Sequence, residues 1–510
     1  LSLTDQLHDI LNSLGGFGPE VWLSVSFCAL LLAELVLTRA MALPKARRYI
    51  AGLSVVVVSV AGSWAAVLPT RGFLFMHLLF VDNQAIFIQI VVALSAIGVL
   101  LYEVLINAET PSNDLRNRAG LPLEWYSLLV AMTLGLFLMA VSVNMLSIYL
   151  SIELVSICSY LLTALTADRK ASEGGIKYLL FGAVSSAIML YGMSLLYGMT
   201  GTLDLTADAF GVELIRQDAS VAAVAVLLTL AGLLFKLAGV PFHVWTPDAY
   251  EAAPVPVAAF FSVAPKAGAV LVLMRIVTSL PVDAPEGNAS ITSLQTPLAV
   301  LALAGILIGN LSALRQTDAK RLLAYSTIAH AGFLLVGVVA LSEAGFEAVL
   351  FYVGTYLFIS LSAFFLVDLL ARSQGSTNLT ISQFAGLGSK QPLLAIALTV
   401  VMLALTGLPP TVGFTAKLLS FSALYSAYQG TGDAWLLALF VLGLLNALIS
   451  LVYYLKIPFL LFFRPAPADS EPYQAVPLPK AAVWLAVGFV VPVVGLFLKP
   501  EIVLNWLTNR

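Results

Sequence analysis

Long apolar runs alternate with short polar loops along the chain. A bilayer crossing takes about 20 mostly apolar residues. Runs that meet this lie near 20–40, 50–69, 82–105, 122–141, 143–166, 173–199, 219–250, 255–280, 293–313, 320–341, 343–371, 391–427, 432–463 and 479–498. The pattern predicts an all-α polytopic membrane protein with about fourteen transmembrane helices. A polar, partly amphipathic segment precedes the first run, and thirteen runs follow it. The first run therefore reads as a span and not as a cleaved signal peptide. Two runs, 219–250 and 391–427, are too long for one straight crossing. Each holds a Gly-x-Pro in its middle, Gly239-Val240-Pro241 and Gly407-Leu408-Pro409-Pro410. Proline removes a backbone donor and clashes with the preceding turn, so helices 7 and 12 are predicted to break at these points.

Composition agrees. Of the 510 residues, 60% are hydrophobic and 10% charged, against about 25% charged in a soluble domain. That much apolar surface needs lipid as its solvent. The net charge is −3 and no basic block is present, which argues against nucleic acid. Cys28 and Cys158 both lie in apolar runs. They cannot supply the four thiolates of an iron–sulfur cluster, and with four histidines they form no ligand spacing for a metal or a redox centre.

The loops orient the chain. Arg39, Lys45, Arg47 and Arg48 follow the first run, Arg116 and Arg118 the third, and Arg169 and Lys170 the fifth. Arg315, Lys320 and Arg321 follow the ninth, Arg372 and Lys390 the eleventh, and Arg464 and Lys480 the thirteenth. Alternate loops hold little basic charge beyond Arg71 and Arg216, and are acidic at Asp204, Asp208, Glu213, Glu343 and Glu347. The positive-inside rule then puts the odd-numbered loops in the cytoplasm and both termini outside. The broken runs, seventh and twelfth, are five spans apart. This predicts N-terminal helices 1–3 in residues 1–121, a five-helix repeat of helices 4–8 in 122–280, an inverted repeat of helices 9–13 in 293–463, and a loop, helix 14 and tail in 464–510. Inverted repeats with discontinuous helices are a transporter architecture, with the ion site near the breaks.

Several charges fall where a membrane helix resists them. One charge at mid-span costs about 2.5–3.5 kcal/mol on insertion scales. Glu153 is mid-span, with Tyr149, Ser156 and Tyr160 on the same helical stripe. Lys236 stands just before the first break, Lys266 is mid-span in the eighth run, and Lys417 follows the second break. Snorkelling does not reach water from such depths, so these four need partners or a hydrated interior. Lys177, near a span end, and His330, midway in the tenth run, are further candidates for which a structural role competes evenly. Glu34, Glu103 and Asp368 lie towards span ends and read as structural. Such a row suits proton handling: a desolvated amine gives up its proton more readily, and a carboxylate within about 4–6 Å restores its hold. Sodium wants oxygen ligands, and ammonium groups along its path would repel it.

These residues carry a resemblance. Phe235-Lys236-Leu237-Ala238-Gly239-Val240-Pro241-Phe242-His243-Val244-Trp245-Thr246-Pro247-Asp248-Ala249-Tyr250-Glu251-Ala252-Ala253-Pro254 resembles the hallmark of the antiporter-like membrane subunits of respiratory NADH:quinone oxidoreductase (complex I), subunit N in particular. Lys320 to His330, Lys-Arg-Leu-Leu-Ala-Tyr-Ser-Thr-Ile-Ala-His, and Gly407 to Lys417, Gly-Leu-Pro-Pro-Thr-Val-Gly-Phe-Thr-Ala-Lys, are similar to two more of its signatures. Lysine at 417, a chain that ends soon after the last run, and no histidine near Ser262 favour subunit N over subunits M and L. Ala252 departs from the usual glycine before Ala253. The resemblance implies a Glu/Lys proton relay through Glu153, Lys236, Lys266 and Lys417, driven by electron transfer in other subunits. It implies no cofactor on this chain, with NADH, FMN, iron–sulfur clusters and quinone in partner subunits. It further implies neighbours resembling subunits K and M, the lateral helix of subunit L, and a bacterial cytoplasmic (inner) membrane with periplasmic termini. A multisubunit cation/proton antiporter without redox coupling is the alternative the same lysines allow.

Overall fold

The computed structural model describes residues 3–108, 121–281, 290, 292–376, 380–465 and 476–508. Arg116 and Arg118, used above for orientation, lie outside them. The chain divides into two compact units: Leu1–Leu100, Leu121–Leu237 and Ala264–Leu298 form the first, and Leu101–Gly120, Ala238–Val263 and Ala299–Arg510 the second.

The elements follow in order. α1 (Leu3–Gly16), α2 (Gly18–Ala40) and α3 (Leu43–Val67) precede a short antiparallel hairpin of β1 (Gly72–Leu74) and β2 (Leu79–Val81). Then come α4 (Asn83–Ala108), α5 (Glu124–Val141), α6 (Met145–Thr163), α7 (Arg169–Thr200), α8 (Asp208–Ile215) and α9 (Ala219–Leu237). α10 (Thr246–Ala252), α11 (Val255–Thr278), α12 (Thr292–Ala313), α13 (Ala319–Val339) and α14 (Glu343–Ser373) follow. A 3-10 turn (Ile381–Phe384), α15 (Leu387–Lys390), α16 (Pro392–Thr406), α17 (Val412–Thr431), α18 (Ala434–Phe463), α19 (Lys480–Gly488), α20 (Val491–Leu498) and α21 (Glu501–Thr508) complete the chain.

Thirteen helices among the described residues are long and apolar enough to cross a bilayer. The remaining run, 391–427, is the one divided between α16 and α17. Among the described residues the protein is thus an all-α polytopic membrane protein apart from one hairpin, which the apolar pattern did not predict. That hairpin is held by side chains of α1: the backbone N–H of Phe75 donates to Ser13 Oγ at 2.8 Å, and that of Met76 to Asp9 Oδ2 at 2.9 Å.

Helix starts use ordinary capping. The Asn144, Asp168, Asp318 and Asp433 side chains accept backbone N–H groups at the first turns of α6, α7, α13 and α18. Outside the spans, the Ala171 backbone N–H and then the Thr166 hydroxyl hold the Asp168 carboxyl below the usual range. Both predicted breaks are present. α9 stops at Leu237, Ala238 turns left-handed at φ 60°, and helix resumes only at Thr246. α16 stops at Thr406, Gly407 turns left-handed at φ 86°, and α17 begins at Val412.

In the first unit α7 packs between α6 and α9, and glycines fix the register. Gly175 faces Ala164, and Gly182 faces the Tyr160 hydroxyl, so α6 and α7 run antiparallel. Gly192 lies against the backbone of Leu228 and Thr229, and Gly232 against the Met189 side chain. Continuing that antiparallel register by one turn brings Lys236 of α9 level with Ser185 and Ser186 of α7.

Leucine at Gly192 would force α7 and α9 apart, and overpacking of this kind costs about 1–3 kcal/mol. Gly192→Leu should therefore lower the thermal unfolding midpoint followed by circular dichroism in detergent. Gly198→Leu, at an exposed helical glycine with open space around it, should not.

Candidate functional site

Glu153, Lys236, Lys266 and Lys177 belong to the first unit, and His330 and Lys417 to the second. Within the first unit the structure brings Glu153 and Lys236 into one neighbourhood. Lys236, in the last turn of α9, is 2% exposed, and its Nζ has no hydrogen-bond partner among the described residues. Aromatic faces surround it instead: Nζ is 5.5 Å from the Tyr178 ring centre, 5.5 Å from that of Phe235 and 5.7 Å from that of Tyr160. Such faces attract a cation. Glu153 of α6 is the carboxylate whose charge acts on Lys236, yet the two form no ion pair. The Glu153 Oε1 accepts a hydrogen bond from the Ser186 hydroxyl of α7. The predicted stripe holds in part: Tyr160 joins the site, and the buried Ser156 returns its hydroxyl to the Ile152 carbonyl.

In the second unit the break itself seats a lysine. A helix that ends leaves carbonyls without donors. Lys417 Nζ donates to two of them on α16, Leu405 O at 3.1 Å and Thr406 O at 2.7 Å. Gly407 makes room, since a methyl group there would meet Lys417 Cδ at 2.8 Å. The ammonium also lies 4.4 Å from the Phe333 ring centre. Phe333 touches His330 edge-on at 6.0 Å between ring centres, so one ring neighbours both the lysine and the histidine. His330 is buried, with Nδ1 2.7 Å from the Tyr352 hydroxyl and Nε2 3.3 Å from that of Tyr454. Tyr454 in turn hydrogen-bonds Ser326. A neutral imidazole has one donor and one acceptor nitrogen, so hydroxyls on both sides give this chain a direction set by the tautomer.

The remaining candidates separate. Lys266 is buried in α11 directly after Pro265. Lys177 pairs with Glu173 at 2.8 Å and its side chain is 41% exposed. It lies nine residues, about 13.5 Å along α7, from Ser186, so it does not join Glu153. Glu34 takes the Ser127 hydroxyl, and Glu103 the Asn107 amide. Asp368 accepts from Tyr102 at 2.6 Å and from Arg372 at 2.7 Å.

Four polar links, one buried and three half-buried, have no counterpart in the sequence pattern. Ser186 at Glu153 is one. Glu20 in the first turn of α2 is buried and takes the Gln89 amide at 2.7 Å. Arg275 ties the end of α11 to Asp82 and to the Ser142 carbonyl, each at 3.0 Å. Arg321 clamps Asp248 at 2.9 Å and Glu251 at 2.7 Å on α10. Among the described residues no group of three or more His, Cys, Asp or Glu side chains could hold a metal ion.

Residues 142–446 match the family model described as NADH:quinone oxidoreductase/Mrp antiporter, TM. NADH-quinone oxidoreductase subunit N 2 of Chloroherpeton thalassium is 37% identical over 509 residues, covering 98% of this chain and 96% of that protein. Among solved structures, a chain of respiratory complex I from Thermus thermophilus superposes with a TM-score of 0.76 and 31% identity over 96% of this chain and 98% of that one. A chain of the Mrp complex from Dietzia has the same fold, with a TM-score of 0.76, 20% identity, and coverage of 97% and 96%. The chain belongs to the NADH:quinone oxidoreductase/Mrp antiporter transmembrane family.

Proposed function

We propose that this chain is the proton-translocating subunit N of an NADH:quinone oxidoreductase. Electron transfer in partner subunits, which carry the FMN, the iron–sulfur clusters and the quinone site, drives it. The observation that carries this reading is the buried Lys236 amine, beside a carboxylate that has a second partner to turn to. Subunit N relatives alike over nearly the whole chain favour redox coupling over a free-standing cation/proton antiporter. Residues 122–280 and 293–463 are assigned as the two inverted repeats. The neighbours are assigned as chains resembling subunits K and M and the lateral helix of subunit L.

The relay runs from Lys236 to Lys266 and on towards Lys417, with His330 as an accessory group. When Glu153 approaches Lys236 the ammonium form is favoured and the proton is held. When it withdraws, the desolvated amine releases that proton to the next base. The carboxylate is the part that moves, and the partner subunits supply the work.

Removing either amine should spare assembly and stop transport. Complexes carrying Lys236→Ala or Lys417→Ala should be recovered intact. Their NADH-driven proton uptake, read by acridine-dye quenching in inverted vesicles, should fall about ten-fold or more. Lys236→Arg keeps the charge but holds its proton at any physiological pH, so it should not restore pumping. Arginine pumping at the wild-type rate would reduce Lys236 to a fixed charge. If the complex pumps sodium in place of protons, or the chain purifies without NADH oxidation, the antiporter reading replaces this one.

The orientation has its own test. The basic loop 39–48 belongs in the cytoplasm of a bacterium, with both termini periplasmic. Ala42→Cys, in a Cys28→Ser background, should resist a membrane-impermeant maleimide applied to intact cells and react in inverted vesicles. Labelling from outside would reverse the topology.

A further inference from the structure

Lys236 is buried without an acceptor while the acid that should balance it is turned elsewhere. We infer that Ser186 is the resting partner of Glu153, a positioning residue on α7 that takes the carboxylate when it leaves Lys236. This rests on the relay proposed above and adds to it the second position that a switch requires.

Three observations on separate helices converge. The Ser186 hydroxyl donates to Glu153 Oε1 across the α6–α7 contact. The α7–α9 register, with Gly192 against Thr229 and Gly232 against Met189, puts Ser185 and Ser186 level with Lys236. The carboxylate of α6 therefore meets a hydroxyl of α7 at the height of an amine of α9. Finally, neighbouring hydroxyls are used differently. Ser185 returns its hydroxyl to Phe181 O at 2.7 Å, Ser159 to Val155 O at 2.5 Å and Thr229 to Ala225 O at 2.9 Å. This is the usual satisfaction of a serine or threonine inside a helix. Ser186 gives its one donor to another helix instead.

The chemistry suits a reversible hold. A serine hydroxyl offers one neutral donor and occupies one carboxylate oxygen. Its grip is weaker than that of an ammonium in contact, so the carboxylate returns when the partner subunits favour the pair. It is stronger than no partner at all, so a withdrawn carboxylate is not left unsatisfied. The proton passes from the Lys236 ammonium to the next base, and Ser186 neither gains nor loses one.

Ser186→Thr and Ser186→Val separate hydroxyl from packing, because the two new side chains differ by a hydroxyl against a methyl at nearly equal volume. In the intact complex in inverted vesicles, Ser186→Thr should keep most proton uptake per NADH oxidised. Ser186→Val should lose about ten-fold, the scale of one hydrogen bond to a charged group. Both should assemble with wild-type thermal midpoints. In a Glu153→Gln background, Ser186→Val should cause no further loss, since the serine acts only through that acid. Wild-type pumping by Ser186→Val, or an added loss in the Glu153→Gln background, would overturn the assignment and leave the lysine relay standing. Wild-type pumping by Glu153→Gln would overturn the relay and the latch together.

Discussion

A polar group inside a bilayer has no water to turn to, so each one must be satisfied by the protein that carries it. The helix breaks exist under that constraint. Ending α16 at Thr406 strips its last carbonyls of their helical donors, and Lys417 reaches back to two of them. The end of α10 follows the same rule, with Lys320 Nζ donating to Ala253 O at 3.1 Å. A helix C-terminus also carries partial negative charge, worth about 0.3–1 kcal/mol to a nearby cation and more when partly buried. A lysine at a break thus satisfies the backbone and is itself made tolerable in lipid. At the second break the Gly-x-Pro motif and Lys417 form one device, because the break creates the acceptors that the amine requires.

Magnitudes decide whether a carboxylate can work such an amine. Two unit charges 4 Å apart interact by about 4 kcal/mol at an effective dielectric constant of 20, and at 8 Å by about 2 kcal/mol. A carboxylate drawn from about 4 to about 8 Å by one side-chain swing would therefore change the hold on an amine's proton by about 2 kcal/mol. Carrying one charge against 100 mV takes about 2.3 kcal/mol. The two are of one size, so a side-chain motion suffices in principle, and no large rearrangement of the helices is needed. The swing would be far costlier if the withdrawn carboxylate had nowhere to go, and this gives the Ser186 hydroxyl its importance beside an acid on a neighbouring helix.

The breaks and the mid-span charges were legible because each violates a local rule: proline within a long apolar run, and lysine where lipid should be. Their partners were not. Ser186 sits among many serines and threonines in apolar helices, and spacing along one helix cannot tell which hydroxyl bonds its own turn and which bonds a neighbour. Glu20 reads as an ordinary first-turn acid of α2, where negative charge is favoured. Only tertiary packing reveals it as buried against Gln89. The hairpin was missed because strands of three residues fall below any period-two signal. Lys177 was balanced between two roles, and its ion pair with Glu173 one turn away on an exposed face favours the plainer one.

The two lysines at the breaks are not equivalent. Lys417 is fixed by two backbone carbonyls, which cannot move without refolding the end of α16. Its hold on a proton is therefore built into the fold and changes only if charge nearby changes. Among the described residues Lys236 has aromatic faces and no acceptor, and a nearby acid, Glu153, whose position is not fixed by the backbone. Cation–π contact supports the charged form by about 2 kcal/mol when desolvated, too little to replace an ion pair. In the proposed relay Lys236 is thus the amine whose state follows a side-chain movement, and Lys417 a site whose state the fold sets. Directional transport through a row of lysines needs this asymmetry, since a row of identical sites would pass a proton either way with equal ease.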